Sequence, residues 1–378
     1  MKVLQVLPEL NSGGVERGTV DFARYLVQQG HESLVISAGG RMVSLLEQEG
    51  SAHIQYPVHK KSLSSLWRVR GLRRLLLELE PDVIHVRSRI PAWMVWLALK
   101  KIPTDRRPAL ISTFHGLYSV SAYSAIMGCG DRVIAISQCV KEYILKNYPK
   151  IDSEKIELVH RGVDTDQFNK QHTINPDWQA ELYQRFPQLR AGNIILMPGR
   201  LSRWKGHIDF IQMIRQLVDQ QVSCHGLIVG SPNPGKEEYL QELQELVTRE
   251  QLQEHITFLG HSDQMANLYA LSSVVCNLSQ HAEPFGRTVI EALAIGTPVV
   301  SYDYGGPAES LGSSFPGGLV PVGDQQTLCA TVARCLNEPQ KVELSPQFTL
   351  QYQARSTLAV YHKALSENLR YQKVQAPN

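Results

Sequence analysis

The chain lacks any Cys-x-x-Cys pair: Cys129, Cys139, Cys224, Cys276, Cys329 and Cys335 lie scattered along it. Neither a zinc site nor a disulfide framework is indicated, and a reducing compartment fits this usage best. No uncharged apolar run approaches the roughly 20 residues that a spanning helix needs. The longest, "IPAWMVWLAL" at 90–99, ends on Lys100 and Lys101, so an integral membrane protein is not expected. The opening "MKVLQVLPEL" breaks at Pro8, Glu9 and Asn11, short of a secretory signal, and reads as a first strand. Surplus charge is missing too. With 38 basic against 36 acidic residues the net charge is +2, which speaks against a general nucleic-acid binder and leaves nucleic acid off the expected partners.

What is present is an alternation. At 378 residues with 43% hydrophobic content, the chain has room for two cores of ordinary domain size. Short β-branched runs ("KVLQVL", "SLVISA", "HIQYP", "DVIHV", "ALISTF", "RVIAIS") each precede a stretch of helical periodicity, at 15–29, 42–48, 62–79, 91–100, 121–127 and 138–147. Continuous apolar strands alternating with helices imply a parallel sheet covered on both faces. After "KIELVH", the segment "RGVDTDQFNKQHTINPD" has the composition of a linker. The alternation then restarts with "NIILMPG", "CHGLIVG", "HITFLG", "VVCNLS" and "PVVSYD". The fold class is therefore α/β, with two Rossmann-like doubly wound domains in tandem at 1–168 and 190–349. A last helix at about 350–370 can pack on either, including back on the first.

In such sheets ligands bind at the carboxyl ends of the strands, so the loops that follow strands carry the information. The first loop brings Gly13 and Gly14 to the start of a helix, where free N–H groups favour an anion or a hydroxyl oxygen; it is not the dinucleotide fingerprint G-x-G-x-x-G. His115 stands beside Gly116 at the end of "ALISTF". "MPGRLSRWKGH" places Arg200 and Lys205 before a helix start, against the macrodipole, an arrangement that an anionic ligand would explain. In "HAEPFGRTVIEALAIGTPVV" Glu283 precedes the helix and Glu291 lies a turn inside it, with the N–H groups of Gly286, Arg287 and Thr288 between. Their Cα atoms would stand about 12 Å apart on a continuous helix, and further along an extended loop. A ligand with polar ends and an anionic middle matches that span, and a nucleotide diphosphate sugar has this form.

These residues resemble those of retaining glycosyltransferases of the GT-B fold, specifically glycosyltransferase family four. The resemblance rests on "GGVE" at 13–16, "HG" at 115–116, "RGVDTDQF" at 161–168, "GRLSRWKG" at 199–206, and "EPFGRTVIEA" at 283–292 followed by "GTPVV". It implies two domains facing across a cleft. It implies that Glu291 bonds the ribose hydroxyls, that Glu283 lies at the donor sugar, and that backbone N–H groups around Phe285, Gly286, Arg287 and Thr288 hold the diphosphate and sugar. Arg200 and Lys205 would neutralise the departing β-phosphate. Gly14 would approach the diphosphate or the acceptor, and His115 the donor sugar and incoming hydroxyl. Gly13 and Glu16 match the pattern on the acceptor side. Transfer with retention, metal-independent and without a cofactor, is the implied chemistry; a nucleotide-sugar epimerase, a phosphorylase and a non-catalytic nucleotide-sugar-binding subunit are the competing readings.

"DTD" at 164–166 mimics an Asp-x-Asp metal motif, but it reads as a turn, and no metal is expected. Residues 59–79 carry Lys60, Lys61, Arg68, Arg70, Arg73 and Arg74 among Leu63, Leu66, Trp67, Leu72 and Leu75, which suits either a sheet-covering helix or peripheral contact with an anionic membrane. "RSRIPAW" at 87–93 looks like enzymes of bacterial surface polysaccharide and lipopolysaccharide, implying a glycan or lipid-linked acceptor. The expected location is cytoplasmic, at the inner membrane's cytoplasmic face where segment 59–79 touches lipid.

Overall fold

The computed structural model describes residues 1–11, 13–59 and 65–375. The described residues divide into two units, those up to 160 together with those from 351 onward, and those of 161–350. In the first unit the chain runs β1 (Lys2–Val6), α1 (Gly14–Gln28), β2 (Glu32–Ser37), α2 (Val43–Gln48), β3 (Ala52–Gln55), α3 (Ser65–Leu79), β4 (Val83–Val86), α4 (Arg89–Leu99), β5 (Ala109–Phe114), β6 (Arg132–Ala135), α5 (Gln138–Asn147) and β7 (Ile156–Leu158). The sheet order is β3-β2-β1-β4-β5-β6-β7, and each pairing is parallel. β4, β5 and β6 are buried along their whole length, which is why they read as unbroken apolar runs. At 121–127, where the periodicity predicts a helix, there is only a 3-10 turn, Ser124–Gly128.

The second unit contains α6 (Pro176–Arg185), β8 (Asn193–Pro198), α7 (His207–Asp219), β9 (Cys224–Val229), α8 (Glu238–Arg249), β10 (Ile256–Gly260), α9 (Met265–Leu271), β11 (Val274–Asn277), α10 (Arg287–Ile295), β12 (Val299–Tyr302), α11 (Gly305–Ser314), β13 (Leu319–Val320) and α12 (Gln325–Asn337). Its parallel sheet has the order β10-β9-β8-β11-β12-β13. Strand order therefore reverses between β8 and β11, as it does between β1 and β4 in the first unit. A doubly wound sheet opens a ligand crevice at such a reversal.

The boundary between the units falls at 160/161, where the sequence reading carried the first domain to 168. Residues 161–168 belong to the second unit because Val163 bridges to Thr349 and the Phe168 ring packs on Tyr269 at 6.1 Å. The last helix, α13 (Leu350–Gln375), joins the first unit from residue 351. Tyr361 is its anchor: it meets the Phe22 ring edge-on at 5.7 Å, and its hydroxyl lies 2.6 Å from His85 Nδ1. Around it Val3, Leu26, Val83, Ile111 and Ile134 form one buried cluster with Ala354, Val360 and Ala364 of α13.

Candidate active site

The loops after β8 and β11 leave neighbouring strands at the point of reversal, and backbone packing presses them together. A Cβ on Gly206 would stand 2.1 Å from the Leu278 carbonyl oxygen, so only glycine lets the segment carrying Lys205 lie against the end of β11. Its φ of +82° asks for glycine independently. The Gln280 N–H donates to the Trp204 carbonyl at 2.8 Å and closes the contact. From the other side, the Gly306 N–H at the start of α11 donates to the Glu283 carbonyl at 2.8 Å, and a Cβ there would strike the Phe285 Cα at 2.4 Å. The loop 278–286 is thus clamped on both flanks.

This clamp sets Lys205 Nζ 2.5 Å from Glu283 Oε1, and the Ser279 hydroxyl donates to the same oxygen. Both side chains of the ion pair are largely buried. Gly286, with φ +80°, opens α10, whose first turn holds no acid and whose N-cap has no side-chain partner. The N–H groups of that first turn are those that favour an anion. One turn on, Glu291 is buried; the Tyr269 hydroxyl donates to Oε2 and Arg287 Nη2 to Oε1, each at 3.0 Å. Burial pushes its carboxyl above the usual carboxylate range, against the pull of Arg287, the Tyr269 hydroxyl and Arg161. His207, the first residue of α7, is held down to about 4 by burial, so next to Lys205 it stays a neutral ring.

The other predicted residues of this unit fall as follows. Arg200 is exposed and donates to Asn233 Oδ1 at 3.1 Å. The Phe285 ring is buried and packs on Phe348 at 6.2 Å. Asn277 Nδ2 reaches Thr288 Oγ1 at 3.5 Å. Ser279, Tyr269 and Asn277 were not singled out from the sequence; a serine four residues before Glu283 was the one available signal. In "DTD", Asp164 Oδ1 accepts the Asp166 N–H at 3.0 Å, as an Asx turn does. Among the described residues no group of three or more His, Cys, Asp or Glu is placed to hold a metal.

Comparison with known proteins decides the family. Residues 12–167 match the model of Glycosyltransferase Family 4, and residues 183–349 that of Glycosyl transferases group 1. The chain belongs to glycosyltransferase family four. It is 27% identical over 242 residues to the spore coat protein SA of Bacillus subtilis, covering 60% of this chain and 61% of that protein, so the match spans under two thirds of that relative's length. To the phosphatidyl-myo-inositol mannosyltransferase of Mycolicibacterium smegmatis it is 25% identical over 344 residues, 87% of this chain and 82% of the other. Among solved structures, a glycosyltransferase from Rickettsia africae superposes with TM-score 0.81 at 28% identity, covering 96% of this chain and 98% of the other. The Anabaena protein HepE, solved with UDP and glucose, shares the fold with TM-score 0.70 at 23% identity, each chain covered to 99%. The two parallel-sheet units are those of the GT-B fold.

The family's remaining motif residues lie in the first unit. Gly13 is the N-cap of α1 and Gly14 its first residue. Glu16 folds back over Gly13, where a Cβ would stand 2.4 Å from its Oε2, and as an acid in the helix's first turn it complements the dipole. His115 follows β5 half-buried, and its N–H donates to the Tyr118 hydroxyl at 3.2 Å. Tyr118 in turn carries the Arg89 guanidinium over its ring at 5.0 Å, tying the His115 loop to the start of α4.

Proposed function

We propose that the chain transfers a sugar, with retention of configuration, from a nucleotide-sugar donor to an acceptor hydroxyl. The Lys205–Glu283 pair at the strand reversal, beside the uncapped start of α10, carries this reading. A diphosphate laid on that helix start meets Lys205, Arg200 and the N–H groups from Gly286 to Thr288. Glu291 then takes the ribose end and Glu283 the sugar end. The transition state is oxocarbenium-like, and Lys205 stabilises the negative charge growing on the leaving phosphate. Proton removal from the acceptor is assigned to the donor's own phosphate oxygen, with His115 near the sugar, so neither glutamate serves as nucleophile. Gly14, and with it Gly13 and Glu16, is assigned to the diphosphate and acceptor side on the family resemblance.

The acceptor is proposed to be a glycan, lipid-linked, on the cytoplasmic side of a membrane. Support comes from the hollow that α3 and α4 share: Trp67 is 73% exposed and Leu97 36%, among Arg70, Arg73 and Lys101. A tryptophan rimmed by arginines suits an anionic lipid surface. Lys60, Lys61 and Leu63 of the predicted basic segment lie outside the described residues. Among the described residues no helix is long and apolar enough to cross a membrane. Thermal-shift screening with UDP-, GDP- and ADP-sugars, followed by the anomeric configuration of the product by NMR, tests the proposal. A chain stabilised by none of them, or an inverted product, refutes it. Transfer is expected to survive a chelator; loss restored by magnesium would refute the metal-free mechanism.

A further inference from the structure

Glu283 lies on the loop between β11 and α10, and both side-chain hydrogen bonds to its carboxylate end on one oxygen. Lys205 and Ser279 each donate to Oε1, and among the described residues no donor meets Oε2. The geometry points to Ser279 as a positioning residue of the transfer reaction: it holds Glu283 by Oε1 and so presents Oε2 to a hydroxyl of the donor sugar. This rests on the assignment of Glu283 to the sugar made above.

Lys205 is unsuited to that task on its own. Its ammonium is a point charge on a flexible stem, and a diphosphate would compete for it. Ser279 has no such second demand. It is 4% exposed, four residues before Glu283, and its N–H faces Asn277 Oδ1 at 3.5 Å just past the end of β11. The Glu283 backbone is fixed by Gly306 and the loop by Trp204, so the freedom left to the carboxylate is rotation of its side chain. A buried hydroxyl on one oxygen removes that freedom and leaves the other oxygen as a single defined acceptor. Donor sugars bearing a hydroxyl opposite Oε2 are then accepted, and the analogue deoxygenated there is rejected, because the carboxylate edge would be left unpaired.

The test begins on the ligand-free full chain labelled with 13C at glutamate carboxyls, the Glu283 resonance being assigned from Glu283→Gln. Ser279→Ala removes a donor to Oε1, so at one fixed pH the Glu283 carboxyl resonance is expected to move, and Ser279→Thr to return it. A resonance unmoved in Ser279→Ala overturns the inference. The second arm uses whichever of UDP-glucose, GDP-mannose and ADP-glucose binds best by thermal shift. There Ser279→Ala is expected to keep donor affinity and lose kcat at least roughly tenfold, since a misplacement of about 1 Å in a substrate-positioning group can cost on the order of a hundredfold, with rescue by threonine. A kcat within about twofold of wild type overturns the positioning role. If no nucleotide sugar binds, the transferase reading fails, while the carboxyl resonance still reports on Ser279.

Discussion

Replacing Lys205 by Met should destabilise the second unit more than an ordinary surface ion pair would suggest. Breaking a buried pair by removing one partner costs about 3–5 kcal/mol, since the other charge is left uncompensated. Here the Lys205 and Glu283 side chains are 18% and 11% exposed, so water reaches part of the pair, and the Ser279 hydroxyl still donates to the stranded carboxylate. The expected loss is reduced accordingly to about 2 kcal/mol, or roughly 4–8 °C in the melting of a unit of this size. Adding Glu283→Gln removes the stranded charge and should recover most of that loss. Thermal denaturation of wild type, both single variants and the double variant, followed at the transition of the second unit, gives the coupling directly. A Lys205→Met chain that melts within a degree of wild type, or a double variant no more stable than Lys205→Met, would refute the pairing. In transfer, Lys205→Met should lower kcat by roughly a hundredfold or more, the scale of losing a preorganised charge at a leaving group.

Three other outcomes follow from particular contacts. Burial raises the Glu291 carboxyl above the usual carboxylate range, so the stability it contributes is complete in acid below that range and is lost as pH rises through the folded pKa. Glu291→Gln should accordingly match wild type in acid and flatten the decline above it, as read from denaturant midpoints across pH; an unchanged pH slope would contradict the raised titration. Gly206→Ala places a Cβ 2.1 Å from the Leu278 carbonyl oxygen at φ +82°, and should cost at least about 1–3 kcal/mol in a melting experiment and displace Lys205. Trp67→Ser with Arg70→Glu should weaken sedimentation with anionic vesicles and remove its salt dependence; indifference to either change would dispose of the membrane face.

How far the sequence revealed this molecule depended on whether a residue's neighbours were near it in the chain. Helix α10 was legible to its ends, because Gly286 and Gly296 take left-handed conformations at its two caps. Helix α6 falls in the stretch left between the two expected domains, 1–168 and 190–349: Leu182 is its one buried residue, so apolar periodicity has nothing to report. Its Asn175 cap and Pro176 were signals present but unread. Helix α11 begins Gly305-Gly306-Pro307, a turn composition, and is helical where it packs on 283–286. At the site, Glu283, Glu291 and Lys205 stood out as residue types in loops. Tyr269 did not, because it meets Glu291 from another helix and carries no local signature. The buried state of Glu291 was likewise decided by packing.

The return of α13 to the first unit makes that unit discontinuous in time as well as in sequence. Tyr361 meets His85 across 276 residues, and Ala354, Val360 and Ala364 complete the core that Val3 and Val83 begin. On the ribosome, the strands of the first unit emerge long before the helix that covers them. The second unit can finish folding first, though it is made later, while one face of the earlier sheet waits only partly covered, by Phe22 and Leu26 of α1. Residues 1–160 expressed alone should therefore behave as a partly covered sheet that aggregates, and supplying α13 in trans should be what rescues it.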